Sequence, residues 1–207
     1  SQTKQTTQAP QDKLSMQVFR LVKDGHPLTM TTYIQLDVSG KQREVVLGKP
    51  LLKDFIPVNI ESALPARLEN RGDLRAQVRP GRWVFKVHSR HPSNVTDLPY
   101  EYGGIATEDG NNSNAAKSNA TKSNAKANLI TAWPASEVWV YQTSPKDRQT
   151  EIEGVRQIDP RQVQLPKIWA NLPAYEVKAG SDFKIKVNRR GDPLPEPDSL
   201  NLTRDYW

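Results

Sequence analysis

The chain has 207 residues, enough for one large β-sandwich or two small domains, and its 29 Lys and Arg outnumber its 23 Asp and Glu, for a net charge of +6. It contains no cysteine, which excludes disulfides, thiolate metal ligands and a cysteine nucleophile. No apolar stretch approaches the roughly 18 residues that a membrane helix needs, so we expect no membrane span. The basic residues are scattered, which is typical of a solvated surface and predicts no specific nucleic-acid site.

Two polar stretches divide the chain. Residues 1–13 are rich in Gln and Thr, and we expect them to form a disordered tail or tether. Residues 107–128 contain the low-complexity unit Lys-Ser-Asn-Ala twice, at 117–120 and at 122–125. Such sequence buries too little apolar surface to offset its ordering entropy, so we predict a long mobile loop. We therefore expect one domain, 14–207, that carries this loop as an insertion.

Apolar and polar residues alternate along the first half of the domain, which is the pattern of half-buried β-strands. Pro57 cannot donate to a sheet ladder, so its strand belongs at an edge or a bulge. An Arg-Gly pair at 71–72 indicates a hairpin turn, and Trp83, Phe85 and Val87 share a strand face that is predicted to lie in the core. The predicted strands are 14–24, 28–38, 43–48, 55–62, 66–70, 73–80 and 82–90.

Strand patterns return after the polar loop. Val138 and Val140 occupy one face of a predicted strand, and Trp139 and Tyr141 occupy the other. Pro166 suits the first turn of a short helix inside an otherwise irregular, proline-rich stretch. The predicted strands are 136–143, 149–155, the turn-linked pair 174–180 and 182–190, and a final strand at 199–207, with 156–173 irregular.

About ten short strands with Gly and Pro turns, and no long amphipathic helix, define the expected fold class. We predict an all-β protein, an antiparallel β-sandwich of jelly-roll or immunoglobulin-like type with a long polar loop. The pattern leaves the strand order open.

Two parts of the sequence stand out. One is LRAQVRPGRWVFKVHSR at 74–90; the other runs from AWPASEVWVYQ at 132–142, through EIEGVRQIDPRQVQLPKIWANLPAYEVKAG at 151–180, to RRGDPLPEPDSLNLTRDYW at 189–207. Both are similar to the N-terminal β-sandwich region of large, uncharacterised proteobacterial envelope proteins. That group has no established activity, so the resemblance implies no functional residues. It implies a longer parent protein in the periplasm or cell envelope, with the signal peptide absent from this fragment.

The sequence contains no catalytic or cofactor motif: no Gly-rich phosphate loop, no GxSxG and no HExxH. His88 and His91 are three residues apart near a strand end, where surface histidines are a better interpretation than a metal pair. Glu151 and Glu153 share a strand face, but a glycosidase needs two carboxylates that flank a sugar in a cleft. We therefore predict a protein that is not an enzyme and has no catalytic residues, no metal site and no cofactor.

The aromatic residues are the candidates for ligand binding. Trp139 and Tyr141 either pack in a strand that is buried on both faces, which the pattern favours, or form an exposed platform on which a sugar ring stacks. Trp169, Tyr100 and Tyr102 lie in predicted loops, where exposed aromatic side chains would contact a ligand. These five residues form the predicted binding set.

The function that follows is a non-catalytic structural or interaction module of a larger bacterial envelope protein. Its partners would be other domains of the parent chain or another envelope protein. The alternative is a carbohydrate-binding module that holds polysaccharide through exposed aromatic side chains. A third hypothesis, weak electrostatic binding to nucleic acid, lacks the aromatic-plus-basic strand pattern of common RNA-binding modules.

Overall fold

The computed structural model describes residues 12–103, 128–129, 133–143 and 148–190. These residues form strands and two 3₁₀ turns, so the predicted all-β class is confirmed. The predicted polar loop, up to residue 127, and the predicted strand 199–207 lie outside the described residues, as do residues 1–11 of the predicted tail. The strands are β1 (Lys13–Lys23), β2 (Thr29–Ser39), β3 (Arg43–Val46), β4 (Ile56–Ser62), β5 (Ala66–Leu68), β6 (Leu74–Val78), β7 (Gly81–Arg90), β8 (Asp97–Pro99), β9 (Asn128–Leu129), β10 (Ser136–Gln142), β11 (Arg148–Glu153), β12 (Arg156–Ile158), β13 (Ala174–Lys178) and β14 (Asp182–Arg190).

The largest sheet, called the main sheet below, has seven strands in the order β12-β13-β10-β1-β2-β7-β4. Its centre is antiparallel: β1 pairs with β2 along its whole length, and β2 pairs with β7. β1 also pairs with β10, and this pair is parallel, as is the short pair of β3 with β9. The predicted antiparallel pairing therefore holds except at these two places, where the paired strands are far apart in sequence and long connections permit a parallel arrangement.

Two small sheets cover one face of the main sheet. The first has the order β5-β6-β3-β9 and the second has the order β11-β14-β8. Residues on one face of β1, β2 and β7 pack against the first small sheet in a cluster that includes Ile34, Phe85 and Leu74. Residues on the same face of β1, β10 and β13 pack against the second, in a cluster that includes Trp139 and Phe183. The sandwich thus has a core in two halves.

The other face of β10 is covered by the segment between β12 and β13. Trp169 belongs to a 3₁₀ turn, Lys167–Trp169, that begins directly after Pro166, as the sequence predicts. Its ring packs with Phe19, Val140 and Ala174 on the outer face of the main sheet. Both faces of β10 are covered: Trp139 and Tyr141 are buried on the inner face, and Val140 is buried on the outer face.

The structure tests two predictions about strand pairing, one at Pro57 and one for the segments 174–180 and 182–190. Pro57 lies in β4, which forms one edge of the main sheet, and the register of β4 shifts between Pro57 and Asn59. The predicted edge and bulge are both confirmed. The segments 174–180 and 182–190 are joined by a turn, but they do not pair with each other. β13 pairs with β10 and β12, whereas β14 pairs with β11 and β8, because the turn carries the chain from one sheet to the other.

Candidate functional site

A buried ion pair lies between the two halves of the core. Arg20 on β1 and Glu137 on β10 are 0% and 1% exposed. Arg20 Nε donates to Glu137 Oε2 at 2.6 Å, and Arg20 Nη2 donates to Oε1 at 3.0 Å. The parallel pairing of β1 with β10 places both side chains on the inner face of the main sheet. This two-bond geometry is the strong form of an Arg–carboxylate contact.

Three aromatic side chains complete the surroundings of the Glu137 carboxylate. The Tyr100 hydroxyl and the Trp133 indole N–H each donate to Oε1 at 2.8 Å. The Trp139 indole N–H donates to Oε2, also at 2.8 Å. With the two guanidinium contacts, the carboxylate accepts five hydrogen bonds, so its charge is compensated despite its burial.

The Arg20 guanidinium also has several partners besides Glu137. Its Nη1 donates to Thr32 Oγ1 at 3.0 Å and to the Pro50 carbonyl at 2.6 Å. Its central carbon lies 5.9 Å from the centre of the Tyr100 ring and 5.7 Å from that of the Trp139 ring, within cation–π range. Arg20, Glu137 and the three aromatic donors are called the Arg20–Glu137 cluster below.

The cluster joins the core halves because its members belong to both. Trp133 packs in the half under the first small sheet, and Tyr100 and Trp139 pack in the half under the second. The Trp133 ring fits there because two glycines line it. A Cβ atom on Gly48 would lie 2.7 Å from the ring, and one on Gly103 would lie 2.5 Å from it, so neither position accepts a larger residue without movement.

The electrostatics favour the charged form of Glu137. Burial raises the pKa of Glu137, but the Arg20 charge and the hydrogen bonds outweigh it, and the pKa lies below its ordinary value of 4.5. Burial and the Glu137 charge raise the pKa of the Tyr100 phenol, so Tyr100 stays protonated and remains a donor. The cluster is a satisfied internal network, and it offers no free acid, base or nucleophile to a substrate.

The lowered pKa of Glu137 predicts how stability depends on pH. Below pH 4.5 the unfolded chain binds a proton at Glu137 that the folded chain does not, so the contribution of this group falls as pH drops from 4.5 through the folded pKa. The variant Glu137→Gln has no ionisable group at this position. Its free energy of unfolding should therefore decline less steeply between these pH values than that of the unmodified chain. Urea unfolding of both proteins between pH 3 and 6 measures the two slopes. Equal slopes would contradict a depressed pKa at Glu137.

A second candidate site is a cleft of about 450 Å³ with a mixed polar and apolar lining, called the Tyr141 cleft below. It is lined by residues of both the main sheet and the second small sheet, on β10, β11 and β14. Its wall is partly fixed, since the Tyr141 hydroxyl lies 2.9 Å from Thr150 Oγ1 and 3.1 Å from Asp24 Oδ2. The lining residues are Tyr141, Gln142, Thr143, Thr150, Glu151, Ile152, Gln157, Leu172, Pro173, Tyr175 and Asn188.

The five aromatic residues predicted from the sequence do not form a common surface. Trp139, Trp169 and Tyr100 are buried, each in one of the hydrophobic clusters. Tyr141 is also buried, although it borders the Tyr141 cleft. The exposed platform that the sugar-stacking hypothesis requires is therefore not present at Trp139 and Tyr141, because both faces of β10 are covered. Tyr102 is 36% exposed, and its hydroxyl donates to the Trp133 carbonyl at 2.8 Å.

The sequence reasoning missed Arg20 and Glu137. A signal was present, since both charges fall on the apolar rows of their strands: Arg20 follows Met16 and Val18 at period two, and Glu137 precedes Trp139. A charged residue in such a row indicates a buried, paired group when a second row holds the opposite charge.

The described residues hold no metal site and no membrane helix. No group of three or more His, Cys, Asp or Glu side chains there is arranged to hold a metal ion. No helix in the same residues has the length and apolar character needed to cross a bilayer. No protein-family model matches this chain, and no curated protein is significantly similar to it. The resemblance to bacterial envelope proteins stays a prediction.

Proposed function

We propose that this chain is a non-catalytic structural and interaction module of a larger bacterial envelope protein. The observation that carries the proposal is the Arg20–Glu137 cluster. A carboxylate beside an arginine and two indoles resembles a reactive centre in composition, yet every donor of the cluster bonds to Glu137, and the donors come from both halves of the core. Such a network favours a structural role, as part of a rigid scaffold, over a catalytic role.

A rigid scaffold serves binding when it presents side chains in fixed positions, and one turn of this protein does so. Ile168 is 82% exposed, while its neighbour Trp169 is 4% exposed and anchored against the main sheet. The buried indole fixes the turn, so the aliphatic side chain stands in solvent without the freedom of a loose loop. An aliphatic group presented in this way suits a docking contact. We assign the contact to another domain of the same protein.

The absence of cysteine from the chain permits a direct test of docking. The single variant Ile168→Cys is labelled with a maleimide, first in the isolated chain and then in the complete gene product, and the label at residue 168 is quantified by peptide mass spectrometry. Docking should slow labelling at least about tenfold, which corresponds to about 1.4 kcal/mol of docking free energy.

The matched control is Arg71→Cys, at the exposed turn of the β5–β6 hairpin. Its labelling rate should be the same in both proteins. If Ile168→Cys also reacts at the same rate in both, this turn does not dock against the rest of the protein.

A further inference from the structure

The chemistry of the Tyr141 cleft points to a ligand class. Three carboxamide side chains, Gln142, Gln157 and Asn188, and two hydroxyls, Thr143 and Thr150, line it. Carboxamides and hydroxyls both donate and accept hydrogen bonds, which matches a ligand whose own groups do both. A ligand rich in hydroxyl groups has this property.

The charge that the structure describes in the cleft lining is negative, which disfavours an anion. Glu151 is the charged residue of the lining, and no Lys or Arg is among the lining residues that the structure describes. Asn188 Nδ2 donates to Glu151 Oε2 at 3.3 Å, which leaves Oε1 without a bond from this amide and suits it to accept from a ligand hydroxyl. Glu151 also contributes, after burial, to the raised pKa of Tyr175, so this phenol stays neutral.

Apolar surface lies beside these polar groups. Tyr175, Leu172, Pro173 and Ile152 belong to the same lining. A sugar ring has an apolar C–H face and a polar rim, so it needs apolar surface and paired donors and acceptors together. The volume of about 450 Å³ lies within the range of roughly 300–1,000 Å³ that small-molecule sites occupy.

We propose that the Tyr141 cleft binds a neutral sugar residue, with Gln157, Glu151 and Asn188 as hydrogen-bonding groups and the partly exposed Leu172 as apolar contact. The site differs from an exposed aromatic platform, because Tyr141 itself is a buried wall held by Asp24 and Thr150. The proposal does not rest on docking at Ile168, which the labelling experiment tests separately.

The test is a titration of the isotope-labelled chain followed by amide chemical shifts in NMR spectra. The probes are glucose, galactose, N-acetylglucosamine, maltose and cellobiose, with glucose 6-phosphate as the anionic comparison. We expect saturable shifts for at least one neutral sugar, centred on the amides of the cleft, and weaker binding of the anion. Gln157→Ala should weaken binding about tenfold, the loss expected for one hydrogen-bonding group.

Two further variants make the outcome decisive. Glu151→Gln keeps the shape of the side chain and removes its charge, so it should weaken neutral-sugar binding and reduce the discrimination against glucose 6-phosphate. Gln17→Ala, an exposed glutamine on β1 outside the cleft, should bind as the unmodified chain does. No shift with any sugar, shifts centred elsewhere, or unchanged affinity in Gln157→Ala and Glu151→Gln would each overturn the proposal.

Discussion

Arg20→Met should lower the free energy of unfolding by about 3–5 kcal/mol, the cost of leaving a buried charge without its partner. Methionine fills a similar volume, so the loss comes from Glu137 rather than from a cavity. The carboxylate would keep its bonds from Tyr100, Trp133 and Trp139, but three neutral donors do not replace a guanidinium that contributes two bonds and a full charge. Urea unfolding at pH 7, followed by tryptophan fluorescence, measures the effect.

The matched control for this prediction is Arg82→Met. Arg82 Nε contacts Asp37 Oδ1 at 2.8 Å, but both side chains are largely exposed. Exposed pairs of this kind contribute at most about 1 kcal/mol, so this variant should stay close to the unmodified chain. Arg20→Lys gives a second measure if Arg20→Met does not fold. Lysine keeps the positive charge but cannot make the two-bond contact of the guanidinium with Glu137, so its loss of stability should lie between those of Arg82→Met and Arg20→Met. Equal effects of Arg20→Met and Arg82→Met would show that the buried pair is not a structural element.

Trp139→Ala should destabilise the protein by about 3–5 kcal/mol, the usual cost of deleting a large buried aromatic side chain. The ring of Trp139 is fully buried, with its centre 5.8 Å from that of Tyr100 and 5.2 Å from that of Phe183. Trp139→Phe keeps most of the apolar contact and removes one donor to Glu137, so its cost should be about 1–3 kcal/mol. Urea unfolding of the two variants separates packing from hydrogen bonding.

This prediction also distinguishes a core residue from a ligand platform. Trp83, which is half-buried and whose indole N–H donates to the Arg79 carbonyl, is the control, and Trp83→Ala should cost less than Trp139→Ala. If Trp139→Ala folds with unchanged stability and loses sugar binding, the ring is a surface contact and the burial of β10 is wrong. Trp139→Phe should leave any sugar affinity of the Tyr141 cleft unchanged.

The strands could be predicted from the sequence because period-two alternation is a local property. β1, β2 and β7 lie within about two residues of their predicted bounds, and Pro57 identified the edge strand through its missing N–H. The turn after Pro166 was also predictable, since proline at the start of a turn acts locally.

Features that depend on which strands meet could not be predicted in this way. The turn between β13 and β14 looks like a hairpin turn in sequence, but each strand has its partners elsewhere. β8 and β12 are three residues each, too short to show a period, and exist through pairing with β14 and β13. The parallel pairing of β1 with β10 joins residues more than 100 positions apart, and it is what brings Arg20 to Glu137.

The candidate sites also depend on which strands meet, and the sequence does not show this. Trp139 and Tyr141 were identified as a pair on one strand face, and their burial was left open because the sequence does not show what covers that face. The covering layer comes from the second small sheet, with Phe183 and Ile185 on β14. The Tyr141 cleft was not predicted at all, because its polar side chains come from separate segments and have no common spacing.

The measurement that tests the central claim most directly is a double-mutant cycle on the Arg20–Glu137 pair. The free energies of unfolding of Arg20→Met, Glu137→Gln, the double variant and the unmodified chain are compared in urea at pH 7. If the pair joins the two halves of the core, the double variant should be more stable than the sum of the single losses implies, by about 2–3 kcal/mol. Losses that simply add would contradict the claim, because they would show that the two side chains contribute independently.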